Sequence, residues 1–279
     1  MSAVISIPSR SGFLRARDQG FKSVSLYAHH GYGKTYQCRF YQKRYGKGLI
    51  LSGEAGLKSI EDVDIDYLPF SSWDGRIVKK KDDTLSCVPA DPENGDYSFR
   101  SIMAMMQSEE FKKQGYNWVA VDSLTELSER LLEFLEYKHQ DNKNGFEKWG
   151  DYGRLMLGSL KWIRDLPIHV LVTCLAAEEQ DPNDVTQYWP LVKGKSVSKH
   201  IPALFDHVLC GVRITERDQK GMPKVRRYVA TDEVSGWHGK VRDPLNRLKP
   251  YEEVSDITEL LARMSMDDAE FNKKAKEGV

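Results

Sequence analysis

Short apolar runs alternate with stretches of helical period along most of the chain. Ser23-Val24-Ser25-Leu26-Tyr27 alternates and ends apolar, as a short buried strand does, and Thr35 to Arg44 reads as a helix. Gly46-Lys47-Gly48 makes a turn into a second buried strand, Leu49-Ile50-Leu51-Ser52. Ile65 to Phe70 reads as a strand, and Arg76 to Val88 as a hairpin turning at Asp82-Asp83. Tyr97 to Gln114 reads as one helix, with Phe99, Ile102, Met103, Met106 and Phe111 at helical spacing on its core face. Trp118-Val119-Ala120-Val121-Asp122 is another buried strand, after which Ser123 caps a helix to about His139. A polar loop from Gln140 to Gly153 leads into a helix from Tyr152 to Asp165, and Ile168 to Cys174 is the next strand. Residues 176–200 look irregular, and a loop of that length is usually functional or disordered. Phe205 to Thr215 and Val225 to Thr231 read as antiparallel strands joined by Asp218-Gln219-Lys220-Gly221. Ser255 caps a short helix to about Met264, and the charged remainder is expected to fray.

Strands alternating with helices predict an α/β fold, a mainly parallel sheet with helices on both faces and antiparallel strands toward the C-terminus. The expected division is an N-terminal arm at 1–22 carrying Arg10, Arg15, Arg17 and Lys22, a core at 23–264 and a flexible tail at 265–279. The chain has 279 residues, enough for a sizeable core without disulfides. Its formal net charge is zero, so any nucleic-acid surface has to be a local patch. Cys38, Cys87, Cys174 and Cys210 are scattered with no C-x-x-C spacing, which predicts reduced thiols in a reducing cytosol rather than a zinc site. No apolar run reaches the roughly 18 residues of a membrane span, and the N-terminus lacks a signal-peptide core.

Between the first strand and helix lies Ala28-His29-His30-Gly31-Tyr32-Gly33-Lys34-Thr35, a P-loop with Ala28 where the first glycine is usual. Glycines let the backbone curl until successive N–H groups point at phosphate oxygens, and the helix N-terminus adds partial positive charge. Lys34 would reach the β- and γ-phosphates of ATP, and Thr35 would ligate Mg²⁺. The expected nucleotide contacts run from Ala28 through Tyr36.

Asp122 ends an apolar strand downstream of the P-loop, the place of a second Mg²⁺ ligand acting through water. Many ATPases place a catalytic Glu directly after this Asp, but here the next residue is Ser123. The carboxylate that activates water must come from elsewhere. Glu54 stands between small residues at the end of the second strand, where open α/β sheets put their sites. Glu126, one turn into a helix, is the runner-up and is expected to point away. Thr173 ends a strand where it would sense the γ-phosphate.

Gly-Tyr-Gly-Lys-Thr, Ser-Gly-Glu-Ala-Gly, Val121-Asp122-Ser123, the Thr-ending strand and a late Lys-x-Arg, in this order over residues 23–242, resemble the RecA-like P-loop ATPases. Within these, the chain resembles the compact phage ATPases of the single-strand-annealing (Sak) group. The resemblance implies an oligomer, ring or filament, that hydrolyses ATP, binds single-stranded DNA and supports annealing or strand exchange beside a single-strand-binding protein in the bacterial host cytoplasm. It also implies that Lys240 and Arg242 are a finger reaching the neighbouring subunit's γ-phosphate. One intervening residue on an extended segment sends both side chains to one side. Ala28 departs from the family pattern, and so does Leu175, where many relatives have a His.

The stretch 176–200 is the expected DNA contact. Lys193, Lys195 and Lys199 offer charge to a phosphate backbone, Tyr188 and Trp189 offer faces for bases, and Gly194 offers freedom to follow a strand. Arg15, Arg17 and the loop at 140–153 are secondary candidates. Two other readings stand beside this one: a RecA-fold ATPase acting on protein partners, as the KaiC-type signalling hexamers do, and a nucleotide-binding module with little turnover.

Overall fold

The computed structural model describes residues 20–54, 56–142, 145–217 and 220–277. Arg10, Arg15, Arg17, Ala55, the Asp218-Gln219 turn and residues 143–144 lie outside them. The chain begins with β1 (Ser23–Ala28), α1 (Gln37–Tyr45), β2 (Gly48–Ser52) and β3 (Asp66–Pro69). A hairpin of β4 (Gly75–Lys79) and β5 (Leu85–Pro89) precedes α2 (Phe99–Met106) and α3 (Glu109–Lys112). Then come β6 (Trp118–Asp122), α4 (Leu124–Lys138), α5 (Gly145–Arg164), β7 (His169–Gln180), β8 (Thr186–Pro190) and α6 (Lys195–Leu204). The last part holds β9 (His207–Arg217), β10 (Pro223–Ala230), the short strands β11 (Glu233–Val234), β12 (Trp237–His238) and β13 (Tyr251–Glu253), then α7 (Ile257–Arg263) and α8 (Asp268–Glu277).

The central sheet runs β3-β2-β6-β7-β1-β9 with all neighbours parallel. β10 joins β9, and β13 joins β10, in antiparallel fashion. This is the α/β architecture the sequence predicts. The near-continuous apolar character of the strands follows from burial on both faces. Tyr27, Leu49, Leu51, Val119, Val121, Val170 and Val172 face a core layer built with α2, α4, α5 and α6. The alternate residues Val24, Leu26, Ile50, Ala120 and Leu171 face the other layer, with Cys38 and Tyr41 of α1 and Ile257, Leu260 and Leu261 of α7. Gly48 is dictated by this packing. A Cβ there would fall 1.8 Å from the Trp118 ring, whose Nε1 donates to Gly46 O at 2.8 Å.

Four sequence expectations change. The helix read over Tyr97 to Gln114 is two: Ser108 accepts the Phe111 N–H and starts α3 afresh, the usual competition of a serine with the helical ladder. The helix expected from Tyr152 starts at Gly145; Tyr152 lies inside it, buried, and its hydroxyl bonds that of Ser128, docking α5 on α4. The stretch 176–200 is not an irregular loop. β7 runs on past its neighbours to Gln180 and folds back on β8, and Gly194 is the N-cap of α6. The tail expected to fray contains α8, held by Arg247, which pairs with Asp268 and lies 4.1 Å over the Phe271 ring. A smaller shift of one residue makes Asp256, not Ser255, the cap of α7.

Candidate nucleotide-binding site

Ala28 ends β1 level with Leu175 of β7 and Gly211 of β9, so the loop beyond it springs from the middle of the sheet. Ala28 is fully buried. Gly31 at φ 74° and Gly33 at φ 102° take the left-handed backbone that favours glycine, which lets the loop curl. Tyr32 between them turns inward. Its ring packs where a Cβ on Gly211 would come within 2.6 Å, and its hydroxyl donates to Tyr228 O at 3.2 Å. Only the backbone N–H of Tyr32 is left for a ligand, since its carbonyl oxygen accepts from Arg227 Nε. His29 and His30 sit on the rising limb of the loop, and Tyr36 is partly exposed beside Phe40 and Arg39 at its end. The Lys34 ammonium folds across the loop and donates to Ala28 O and His29 O, both at 3.2 Å. Burial lowers its pKa, opposed by Cys174, Glu54 and Asp122.

Opposite the loop, Asp122 is 2% exposed and takes two hydroxyl bonds, from Thr35 at 2.7 Å and from Thr173. Burial raises its pKa despite both bonds. A carboxylate buried this way is the one that gains most from an added cation. Gly56 keeps a side chain out of the space beside the pair: a Cβ there would stand 3.0 Å from Thr35 Oγ1, closer than ordinary contact, and 3.7 Å from Asp122 Oδ2. Hydroxyl, carboxylate and gap form a donor set that fits Mg²⁺, which binds through one or two protein oxygens plus phosphate oxygens and water. Among the described residues, no group of three His, Cys, Asp or Glu is placed to hold a metal by itself. The curled glycines and Lys34 supply the matching cradle for phosphates.

Glu54 follows the end of β2, exposed, with Ser123 Oγ donating to its Oε1. The Asp122–Ser123 peptide is cis. Ser123 also caps α4, so a single residue links Glu54, Asp122 and that helix. Glu126 packs under Gly53 and is paired with Arg130 at 2.6 Å, which leaves Glu54 the freer carboxylate. Thr173 is fully buried behind Asp122, so it meets the site through that carboxylate.

A family model described as an AAA domain matches residues 21–242. The chain belongs to this family of P-loop NTPases. No curated protein matches it. The match spans the sheet from β1 to the segment after β12, so the P-loop, Glu54, Asp122 and Thr173 all lie within the AAA domain.

The AAA domain does not bring Lys240 and Arg242 to its own P-loop. Lys240 bridges Val208 near the start of β9, and Arg242 pairs with Asp206 at 3.3 Å. Asp206 also holds Ser23 at the first residue of β1, while the P-loop leaves the last. The length of β1, about 17 Å at 3.3 Å per step, separates the two ends.

The DNA candidates are correspondingly engaged. Register alone sets Trp237 of β12 beside Tyr188 of β8, and their rings stack at 4.2 Å. Trp189 stacks on His238 at 3.7 Å, with the Lys199 ammonium 5.4 Å from the indole. Lys193 pairs with Glu129 at 2.8 Å and Lys195 with Glu179 at 3.4 Å. The aromatic faces and all three lysines that seemed open in the sequence have protein partners, two of the lysines in ion pairs. Sequence reasoning missed Arg213 and Arg227, which lie against Gly31 and Tyr32. Nothing local marks them, because only the β9–β10 register carries them to the loop.

Among the described residues, no helix is long and apolar enough to cross a membrane.

Proposed function

We propose that this AAA domain hydrolyses ATP, with Glu54 orienting and deprotonating the attacking water. The observation that carries this reading is the linked set Thr35–Asp122–Ser123–Glu54 beside the Lys34 ammonium. Mg²⁺ bound there would supply the charge that draws electrons from the terminal phosphate. Lys34 leaves its carbonyl partners to meet phosphate oxygens. Ser123 fixes the Glu54 carboxylate, and Glu54 takes the proton from water. Thr173 holds Asp122 in place from behind.

The proposal extends to an oligomer acting on single-stranded DNA, in line with the resemblance to the Sak-type RecA-like ATPases. One contact supports coupling between nucleotide and β8. His29 of the P-loop meets the Tyr188 and Trp237 rings edge-on, each at 5.5 Å. A change in loop shape therefore reaches the hairpin that carries the DNA candidates. The ion pairs of Lys193 and Lys195 favour the second reading, a protein partner, since they leave that surface with less free charge. The test is ATP turnover with and without single-stranded DNA, together with DNA affinity against salt. Under the DNA reading turnover rises, and Lys193→Ala with Lys195→Ala makes the salt dependence shallower by about two phosphate contacts. No binding at low salt with ATP present rejects it in favour of a protein partner.

A further inference from the structure

Arg213 and Arg227 are directly opposed residues of the antiparallel strands β9 and β10, so their side chains leave the same face. That face looks onto the P-loop. Arg227 Nε donates to Tyr32 O at 2.8 Å, and Arg213 Nη1 lies 3.2 Å from where a Cβ on Gly31 would be. Like charges directly opposite one another destabilise a strand pair. Neighbouring Arg226 is relieved by two carboxylates, Glu216 and Glu253, each at 3.3 Å. Among the described residues, neither Arg213 nor Arg227 has an acidic partner. Two cations held together without carboxylates, against a phosphate-binding loop, are arranged for a ligand.

Sheet order says which part of the ligand. Glu54 and Asp122 stand at the ends of β2 and β6, to one side of β1, while Arg213 and Arg227 stand on β9 and β10, to the other. A nucleotide laid along the loop with its terminal phosphate toward Glu54 has its sugar and base toward the arginines. We propose that Arg213 is the contact for the nucleoside end of the nucleotide, its planar guanidinium laid against the base, while Arg227 anchors the loop at Tyr32. This rests on the ATPase reading above. Guanidinium suits the task because it is weakly hydrated and stacks on aromatic faces, which a compact ammonium does less well.

The experiment is calorimetric titration of the intact chain, Arg213→Ala and Arg213→Lys with ATP, ADP and inorganic tripolyphosphate, each with Mg²⁺. Arg213 is exposed beyond the core, so these variants keep the packing of the sheet. Arg213→Ala is expected to weaken ATP and ADP alike, by roughly tenfold, and to leave tripolyphosphate unchanged. Arg213→Lys is expected to stay close to the alanine variant. A loss for ATP without a loss for ADP places Arg213 on the terminal phosphate and overturns the proposal. So does an equal loss for tripolyphosphate, full recovery by lysine, or no change at all. Failure of the intact chain to bind any of the three overturns the ATPase reading instead, so the two failures are told apart.

Discussion

At the C-terminal ends of β1, β2 and β6 the polar side chains answer one another. Thr35 and Thr173 donate to Asp122, and Ser123 donates to Glu54. At the N-terminal ends of β1, β7 and β9 the same sheet treats its polar residues differently. His169 takes the Lys22 N–H at Nδ1, and His207 takes the Arg242 N–H at Nδ1, bonds that need a neutral nitrogen. Burial, with Lys22 adding to it, pushes each imidazole down to about 4. Burial suppresses charge at both ends, since it also raises the Asp122 pKa and lowers that of Lys34, but only the upper end gathers carboxylates and an ammonium around one loop. Polar residues at strand ends do not by themselves mark a site. Groups of opposite charge gathered around one loop do.

The largest effect tests whether the lower end serves a neighbour's upper end. Arg242→Ala is expected to cut ATP turnover about 10³-fold, the low end of an arginine-finger effect, and to leave ATP affinity of the subunit intact. Mixing Arg242→Ala with Glu54→Gln subunits should restore part of the activity. None at any ratio, with both proteins folded and associated, leaves the lower end without a catalytic role.

Next comes Glu54→Gln, which probes the upper end alone. It should retain bound ATP while turnover falls at least about a hundredfold. Normal turnover would transfer the role to Glu126, despite its pairing with Arg130.

The smallest effect belongs to the suppressed histidines. Their folded-state pKa of about 4 lies below the ordinary 6.5, so the unfolded chain binds more protons between those values. Stability is therefore full above 6.5 and is lost as pH falls toward about 4. Denaturant midpoints measured across that window should drop on acidification, and His207→Gln should flatten the slope. An equal slope in the variant removes His207 from the account.

The upper end was legible because most of it is contiguous. Gly31, Gly33, Lys34 and Thr35 sit within one turn of chain, and Asp122 and Glu54 end strands whose apolar runs announce themselves. The parallel sheet followed from the same runs. What escaped depends on partners distant in sequence. Nothing near Tyr188 indicates that Trp237 will cover it, so the β7–β8 hairpin read as a free loop with open rings. The docking of α5 on α4 involves Ser128, and α8 is held by Arg247. Nothing local sets Arg213 and Arg227 apart from ordinary hairpin charges; only the strand register places them over the loop.

The inward ring of Tyr32 has a consequence for how the sequence can drift. It fills the space above Gly211, where even a methyl group would come within 2.6 Å of it. Positions 32 and 211 are therefore expected to vary as a pair: a side chain at 211 calls for a smaller residue at 32. Gly211→Ala alone should weaken both folding and ATP binding, and Tyr32→Ala in the same chain should recover part of the folding.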